Sequence, residues 1–344
     1  MLILLLSSLG LGASETELPP ALRADVSIGY EAAVDWTGLE EDGDDGPVEV
    51  GRRQDIGHQL AFRGAFSFVE GVAVTAGVDV LADRTLRFTE GHPMLQDPVT
   101  GRGTYLGGPA ATDLPTYKGG GLEGFWLGMA FQPFAERFAK EHQVTWRLDV
   151  AVRTPPTRTF WEENEAGRRG AGEGGPTYRL AGAFSRDHDV SSPYMTADWQ
   201  ITTPRSVSVP DGEGGTLDLQ VAPGHRLDVI GGIELRMTKQ DADTRVDFDL
   251  NTGLGYRSPQ LIPSGVYLPD VLASSRKIAV QRAERLGWHA GAAFDIEAAD
   301  PVEIRIWSKA FWALPWRIEH PYKVRSTLDS VQTRFGIDVR VKIR

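Results

Sequence analysis

Charged residues recur at every second position in several segments of this chain, and these side chains are the best candidates for functional chemistry. Such alternation places the charges on one face of an extended strand and the apolar residues on the other. Burying so many ionisable groups in a dry core would be costly, so we expect a wet or fully ion-paired interior. The candidates for a lumen that selects ions by charge are Arg147, Asp149, Arg153, Glu234, Arg236, Arg245, Asp247, Asp249, Glu303, Arg305, Arg334, Asp338 and Arg340.

Catalytic and metal chemistry are not indicated. The seven histidines form neither a His-x-x-x-His pair nor a cluster with carboxylates at metal spacing, and the absence of cysteine removes thiolate ligands and nucleophiles. The triplet Asp187-His188-Asp189 is suggestive, but it falls in a predicted tight turn, where aspartate favours the turn itself. We predict no catalytic residue, no metal site, no cofactor and no enzymatic activity.

An alternative function is that of a barrel enzyme that cleaves lipids, which requires a Ser and a His on the lipid-facing wall. Two histidines are candidates for this role. His58 and His225 share the parity of the apolar positions and lie near the starts of their predicted strands. Neither has a recognisable serine partner, because Ser206 and Ser208 fall in a predicted loop. We interpret both histidines as rim residues in the headgroup zone and rank a hydrolase third among the hypotheses.

The elements that must position the charges are alternating runs bounded by turn residues. The last run, 331 to 344, reads Val-Gln-Thr-Arg-Phe-Gly-Ile-Asp-Val-Arg-Val-Lys-Ile-Arg. Twelve strands are predicted, near 22–36, 55–68, 72–88, 120–132, 143–155, 176–186, 191–203, 223–238, 244–257, 279–297, 301–313 and 330–343.

The predicted connections alternate in length along the chain. Those after even-numbered strands are short, whereas those after odd-numbered strands are long, polar and rich in Gly and acid. The segments 37–53 and 167–175 are typical of solvated loops, and 134–142 could form one helical turn. An outer-membrane barrel has a reason to keep its long loops on one rim, so we predict an all-β, closed, antiparallel, up-and-down transmembrane barrel of about twelve strands.

Apolar positions on the other parity would face lipid, and the predicted strand ends carry aromatic residues suited to interfacial girdles, such as Trp36, Phe131, Trp199, Phe311 and Trp312. The alternative is that these rings form the core of a soluble protein. No apolar run after residue 12 reaches the ~18 residues that a spanning helix requires.

The N-terminal residues indicate where the protein is located, and its net charge limits the partners that it can bind. Residues 1–14 resemble a secretory signal peptide with small residues at its end, although no Lys or Arg precedes the apolar stretch. We therefore predict a signal peptide at 1–14 and one barrel domain at 15–344. The formal net charge of -11 argues against nucleic acid as a partner.

Two stretches resemble strands of transporter-like or porin-like outer-membrane barrels of Gram-negative bacteria. These are 119–134, Gly-Gly-Gly-Leu-Glu-Gly-Phe-Trp-Leu-Gly-Met-Ala-Phe-Gln-Pro-Phe, and 174–199, with Ser185-Arg186 and Pro193-Tyr194. The resemblance implies an outer-membrane location with lipid as a partner, but it implies no substrate. Such barrels usually end on an aromatic residue, whereas this chain ends Ile343-Arg344.

Two functional hypotheses follow. The first is a narrow channel or transporter in which inward Arg, Asp and Glu side chains select a small polar or ionic solute. The second is a structural barrel with an ion-paired, closed lumen that serves as the outer-membrane component of a multiprotein envelope machine for export, adhesion or gliding motility.

Overall fold

The computed structural model describes residues 18–43, 46–91, 94–96, 103–105, 116–134, 144–210, 216–238, 244–263, 279–282, 285–299, 301–313, 324–326 and 330–343. The predicted signal peptide and the helical turn predicted at 134–142 lie outside these residues, apart from Phe134. The described residues form nineteen strands: β1 (Arg23–Gly43), β2 (Gly46–Val69), β3 (Val72–Gly91), β4 (Met94–Gln96), β5 (Gly103–Tyr105), β6 (Thr116–Phe134), β7 (Thr145–Arg153), β8 (Thr177–Ser185), β9 (Ser191–Thr202), β10 (Arg205–Pro210), β11 (Thr216–Val221), β12 (Gly224–Arg236), β13 (Arg245–Arg257), β14 (Gln260–Pro263), β15 (Ala279–Arg282), β16 (Arg285–Ala299), β17 (Val302–Ala313), β18 (Val324–Ser326) and β19 (Val331–Ile343).

Twelve of these strands form a closed antiparallel barrel. The ladder runs β1-β2-β3-β6-β7-β8-β9-β12-β13-β16-β17-β19, and β19 pairs back onto β1 from Ala24↔Ile343 to Trp36↔Val331. Closure leaves the strands without a free edge, which is the condition for a sheet to cross hydrocarbon. The predicted all-β barrel of twelve strands is confirmed.

The exterior of the barrel is apolar and its interior is polar, as the alternation of residue types along the strands predicts. Outward positions carry exposed apolar residues along every wall, including Phe62, Phe125, Leu127, Trp146, Leu148, Val150, Leu227, Val229, Phe294, Phe335, Ile337 and Val339. The buried side chains are largely charged or polar. An exterior of this kind needs lipid around it, so the barrel is transmembrane. Among the described residues, no helix is long and apolar enough to cross a membrane.

Two predictions about the loops and strand limits were wrong. The segment 37–53 was expected to be a solvated loop, but β1 and β2 continue pairing through it as far as Gly43↔Gly46. The predicted strand 279–297 is divided, because β15 pairs with β14 in a separate hairpin while the barrel strand β16 begins at Arg285. In both cases the sequence alternation was interrupted by Gly and charged residues that hairpins outside the hydrocarbon tolerate.

The wall of the barrel is uneven in height. Strands β1, β2, β3 and β6 have 19 to 24 residues, whereas β7 and β8 have nine each. About 9–11 residues are enough to cross a bilayer, so the first four strands rise well beyond it on the side of the long loops. The hairpins β4-β5, β10-β11 and β14-β15 and the short strand β18 lie on that same side.

Candidate functional site

All thirteen predicted lumen residues occupy inward positions of their strands. Arg153, Asp249, Arg305 and Arg334 are buried, and Arg147 and Arg340 are partly buried. They are brought together because each lies on the inward-facing set of alternate positions of an antiparallel strand whose other set faces lipid. Neighbouring strands therefore present their charges on the same side. Their role as lumen residues that select ions stays a prediction.

The inward arginines are paired with carboxylates along the wall. Arg147 contacts Asp149 at 2.9 Å and Arg245 contacts Asp247 at 2.7 Å, both on their own strand. Arg305 donates to Asp295 at 2.8 Å and to Asp249 at 2.5 Å. The remaining contacts join neighbouring strands or reach a turn: Arg334–Glu31 at 3.4 Å, Arg153–Glu123 at 3.3 Å, Arg236–Asp187 at 3.5 Å and Arg340–Asp25. These pairs compensate charge locally and do not bridge the lumen.

A cavity lies in the half of the lumen nearer the short turns. One wall carries Arg147, Asp149 and Arg179 on β7 and β8. The facing wall is formed by β1, β17 and β19, four to six strands away around the ring of twelve, and it contributes Asp25, Glu303, Arg305, Asp338 and Arg340. The cavity therefore offers donors and acceptors on opposite sides.

The floor of this cavity is formed by the first described residues of the chain. Leu18 is buried against Ala73 and Ala130, and its backbone N–H donates to the Gln132 side chain at 3.1 Å. Pro19 also lines the cavity. The start of the described chain thus narrows the lumen at the short-turn end.

Nearer the rim of the long loops, the lumen holds the connection between β7 and β8, residues 154–176, which we call the inward segment and which contributes no residue to the lining of the cavity. The sequence predicted that 167–175 is solvated; this is wrong for 169–175, which is buried, whereas Gly167 and Arg168 are exposed. Ala171 and Glu173, together with Phe160 and Trp161, are at most 3% exposed. Ala171 packs against Ala33 of β1 and Leu81 of β3. Glycine here allows close approach: a Cβ at Gly119 of β6 would lie 2.9 Å from the Phe160 ring.

Arg84 of β3 fastens the inward segment to the wall. Its guanidinium donates to Asp55 of β2 through Nη2 at 2.7 Å and through Nε at 3.1 Å, and Nη1 reaches Glu173 at 3.4 Å. The same guanidinium lies 4.0 Å from the centre of the Phe160 ring. One cation therefore holds two carboxylates and an aromatic face, and its side chain is only 1% exposed.

A second arginine, Arg169, joins two parts of the inward segment to each other and to β6. Arg169 pairs with Glu163 at 2.5 Å and lies 4.4 Å from the Tyr117 ring of β6. Burial raises the pKa of the Glu173 carboxyl well above its ordinary value, and the Arg84 guanidinium opposes that rise. The inward segment is thus a packed, ion-paired structure that crosses the lumen above the cavity.

Sequence reasoning missed Asp55, Arg84, Phe160 and Glu173. The parity of Arg53, Asp55 and Arg63 relative to Phe62 and Phe66 would have marked β2 as a further charged wall. Arg84 follows a bulge in β3 that shifts the register between Leu81 and Arg84, so parity alone would have misplaced it.

The histidines considered for hydrolysis lie outside the lumen. The Tyr30 hydroxyl and His58 Nδ1 form a hydrogen bond of 2.8 Å on the exterior, and His225 lies beside Trp199 with ring centres 6.5 Å apart. Asp187 is in the turn between β8 and β9, where it accepts a hydrogen bond from Ser192 at 2.7 Å. Within the described parts of the chain, no group of three or more His, Asp or Glu residues could hold a metal ion.

No family model matches this chain, and no curated protein matches it. Solved structures do match. The COG4313 outer membrane channel from Pseudomonas putida F1 has a TM-score of 0.50 and 10% identity, covering 97% of this chain and 100% of that one. A Pseudomonas aeruginosa FadL homologue has a TM-score of 0.42 and 12% identity, covering 96% and 94% of the two chains. At this identity the first likeness supports the barrel fold alone.

Proposed function

We propose that this protein is an outer-membrane channel for small polar or ionic solutes. The observation that carries the proposal is the cavity above Leu18, because arginine–carboxylate pairs lie among its lining residues. A polar solute can exchange its water for such groups.

The membrane assignment rests on topology and chemistry. The long connections lie on one rim and the short turns on the other, which is the arrangement of barrels in bacterial outer membranes. The solved barrel with the same fold is named an outer membrane channel, which agrees with the proposal. The solute class is argued from the lumen of this chain alone.

The paired charges refine the idea of an electrostatic filter. Each of Arg147, Arg245, Arg305 and Arg334 has a carboxylate within 3.4 Å. Compensated pairs produce a weaker net field than lone charges do, so we propose a channel with modest preference between anions and cations. Size exclusion at the inward segment then contributes more to selection than charge does.

The direct test is conductance of the purified full chain in a planar bilayer, with solute-driven swelling of liposomes as a second readout. We expect discrete current steps, and faster swelling with a pentose than with a tetrasaccharide. Liposomes with heat-unfolded protein are the control. If the protein and a variant with a loosened inward segment are both silent, and neither causes swelling, the channel proposal is wrong.

A second candidate is a structural barrel that forms the outer-membrane part of an envelope machine for export, adhesion or gliding motility. The observation that favours it is the filled lumen, in which the inward segment buries Phe160 and Trp161 and the wall charges are paired. Silence in the bilayer, together with co-purification of a defined set of envelope proteins after crosslinking, would support this candidate.

A further inference from the structure

Basic side chains occupy one sector of the exterior near the rim of the long loops. Arg87 of β3, Lys118 of β6 and Arg168 of the inward segment are all exposed, and we call them the exterior basic cluster. We propose that this cluster binds the phosphate groups of lipopolysaccharide, the phosphorylated glycolipid of the outer leaflet. The inference rests on the outer-membrane location proposed above, but not on channel activity.

Register places the first two cations side by side. Arg87 is opposite Thr116 and Lys118 is opposite Thr85, so Arg87 and Lys118 are diagonal neighbours on adjacent strands. The Arg87 guanidinium donates through Nε to the side chain of Gln54 on β2 at 2.6 Å, which orients it along the rim. Hydroxyl and amide groups therefore flank the two cations.

The third cation is brought to the same side by the backbone of the inward segment. The Arg169 N–H donates to the Lys118 carbonyl at 2.9 Å, and the Gly120 N–H donates to the Arg169 carbonyl at 3.2 Å. The Arg169 side chain is buried beside Tyr117 in the lumen. Its neighbour Arg168 is exposed, as expected for the opposite face of this strand-like pairing.

Apolar side chains of β1 and β2 lie in the same rows of the sheet as the two cations of β3 and β6. Trp36 is opposite Gln54, and in the next row Val34 is opposite Ile56, which is opposite Thr85 and then Lys118. Trp36 is 44% exposed, as suits an interfacial ring. Cations beside exposed apolar side chains fit a lipid that carries both phosphates and acyl chains, whereas a free phosphate would not use the apolar side chains.

The charge balance and the position of the cluster support the same partner. Among the residues of this sector whose side chains the structure describes, the three cations outnumber Asp83 and Glu165, the exposed carboxylates that make no ion pair, and the nearby Glu163 pairs with Arg169. On the other walls, the exterior near this rim carries rings such as Tyr178, Trp199, Trp288 and Trp312. The rim of long loops faces outward, where lipopolysaccharide is the phosphate-bearing lipid.

The test uses detergent-purified, delipidated full chain titrated with diphosphoryl lipid A and followed by native mass spectrometry. At about 1 kcal/mol per cation near a charged surface, the double variant Arg87→Ala/Lys118→Ala should bind roughly 30-fold more weakly. The matched control is Arg23→Ala, an exposed cation at the short-turn rim, which should bind as the natural chain does. Heat-modifiable gel mobility checks that each variant is folded.

Three outcomes would overturn the inference. Equal binding by the double variant would remove the cluster from the site, and equally tight binding of dephosphorylated lipid A would show acyl contacts only. Competition by millimolar inorganic phosphate as strong as that by lipid A would indicate a soluble-anion site. Cell fractionation tests the location separately, so a protein that is in the outer membrane and conducts, yet shows any of these outcomes, refutes this inference alone.

Discussion

Replacing Arg84 by alanine should release the inward segment and open the lumen. Arg84 is the residue that joins β3 to Asp55, to Glu173 and to the face of Phe160, and its guanidinium is almost inaccessible to water. Its removal leaves two carboxylates near each other without their shared cation. The buried Asp55 carboxylate loses the Arg84 cation, and the segment loses the contacts of Glu173 and Phe160 with β3, which together favour its undocking.

Breaking a buried ion pair by removing one partner costs about 3–5 kcal/mol. If this cost falls on docking of the inward segment, the ratio of undocked to docked states rises by roughly 10²- to 10³-fold. We expect long, high-conductance openings in single-channel records where the natural chain shows small steps. Glu173→Gln should have a smaller effect, because burial already favours the neutral form of that carboxyl and Asp55 remains to pair with Arg84.

Arg179→Ala is the matched control, because Arg179 is an inward arginine that pairs with Asp198 at 3.1 Å without contacting the inward segment. It should lower stability without producing the long openings. The reasoning is refuted if Arg84→Ala and Arg179→Ala give the same conductance record while both remain folded by circular dichroism. It is also refuted if proteolysis within 154–176 is no faster in Arg84→Ala than in the natural chain.

Three further changes test the other parts of the structure. Cysteines at Ala33 and Ala171, whose side chains pack together, should form the chain's only disulfide and abolish the openings of Arg84→Ala until a reductant is added; openings that persist at full crosslinking would count against gating by the inward segment. Leu127→Arg, at a lipid-facing position 60% exposed, should lower the free energy of unfolding by about 2–4 kcal/mol in vesicle refolding assays, whereas Leu22→Arg, outside the strands, should change it little. Asp247→Lys places a cation beside Arg245 and should raise the permeability of anions relative to cations, which is measured as a shift of the reversal potential in a salt gradient. An unchanged reversal potential would mean that Asp247 does not line the path of the ions.

Most of the barrel could be predicted because its constraints are local. The alternation in 143–155 and 330–343 corresponds to β7 and β19 to within two residues, and their charged residues lie on the inward face. The inward segment could not be predicted, because the contacts that order it join residues far apart in the sequence. Glu173 and Arg84, for example, are separated by 89 residues. Its glycines are typical of a solvated loop when read alone, and they serve tight packing only once the barrel has brought β3 and β6 beside them.

The uneven wall explains why the inward segment folds into the lumen. The β6-β7 pairing ends at Trp126↔Arg153, and β6 continues to Thr116 without a strand on that side. An unpaired edge carries unsatisfied backbone groups, and the inward segment supplies partners by pairing Arg169 with Lys118 and Gly120. That pairing directs Phe160, Ala171 and Glu173 toward β1, β2 and β3, where Arg84 is the counter-charge. Extending β7 by residues that continue its ladder along β6 should therefore displace the segment even with Arg84 intact, and an unchanged conductance record in such a variant would show that the edge does not position it.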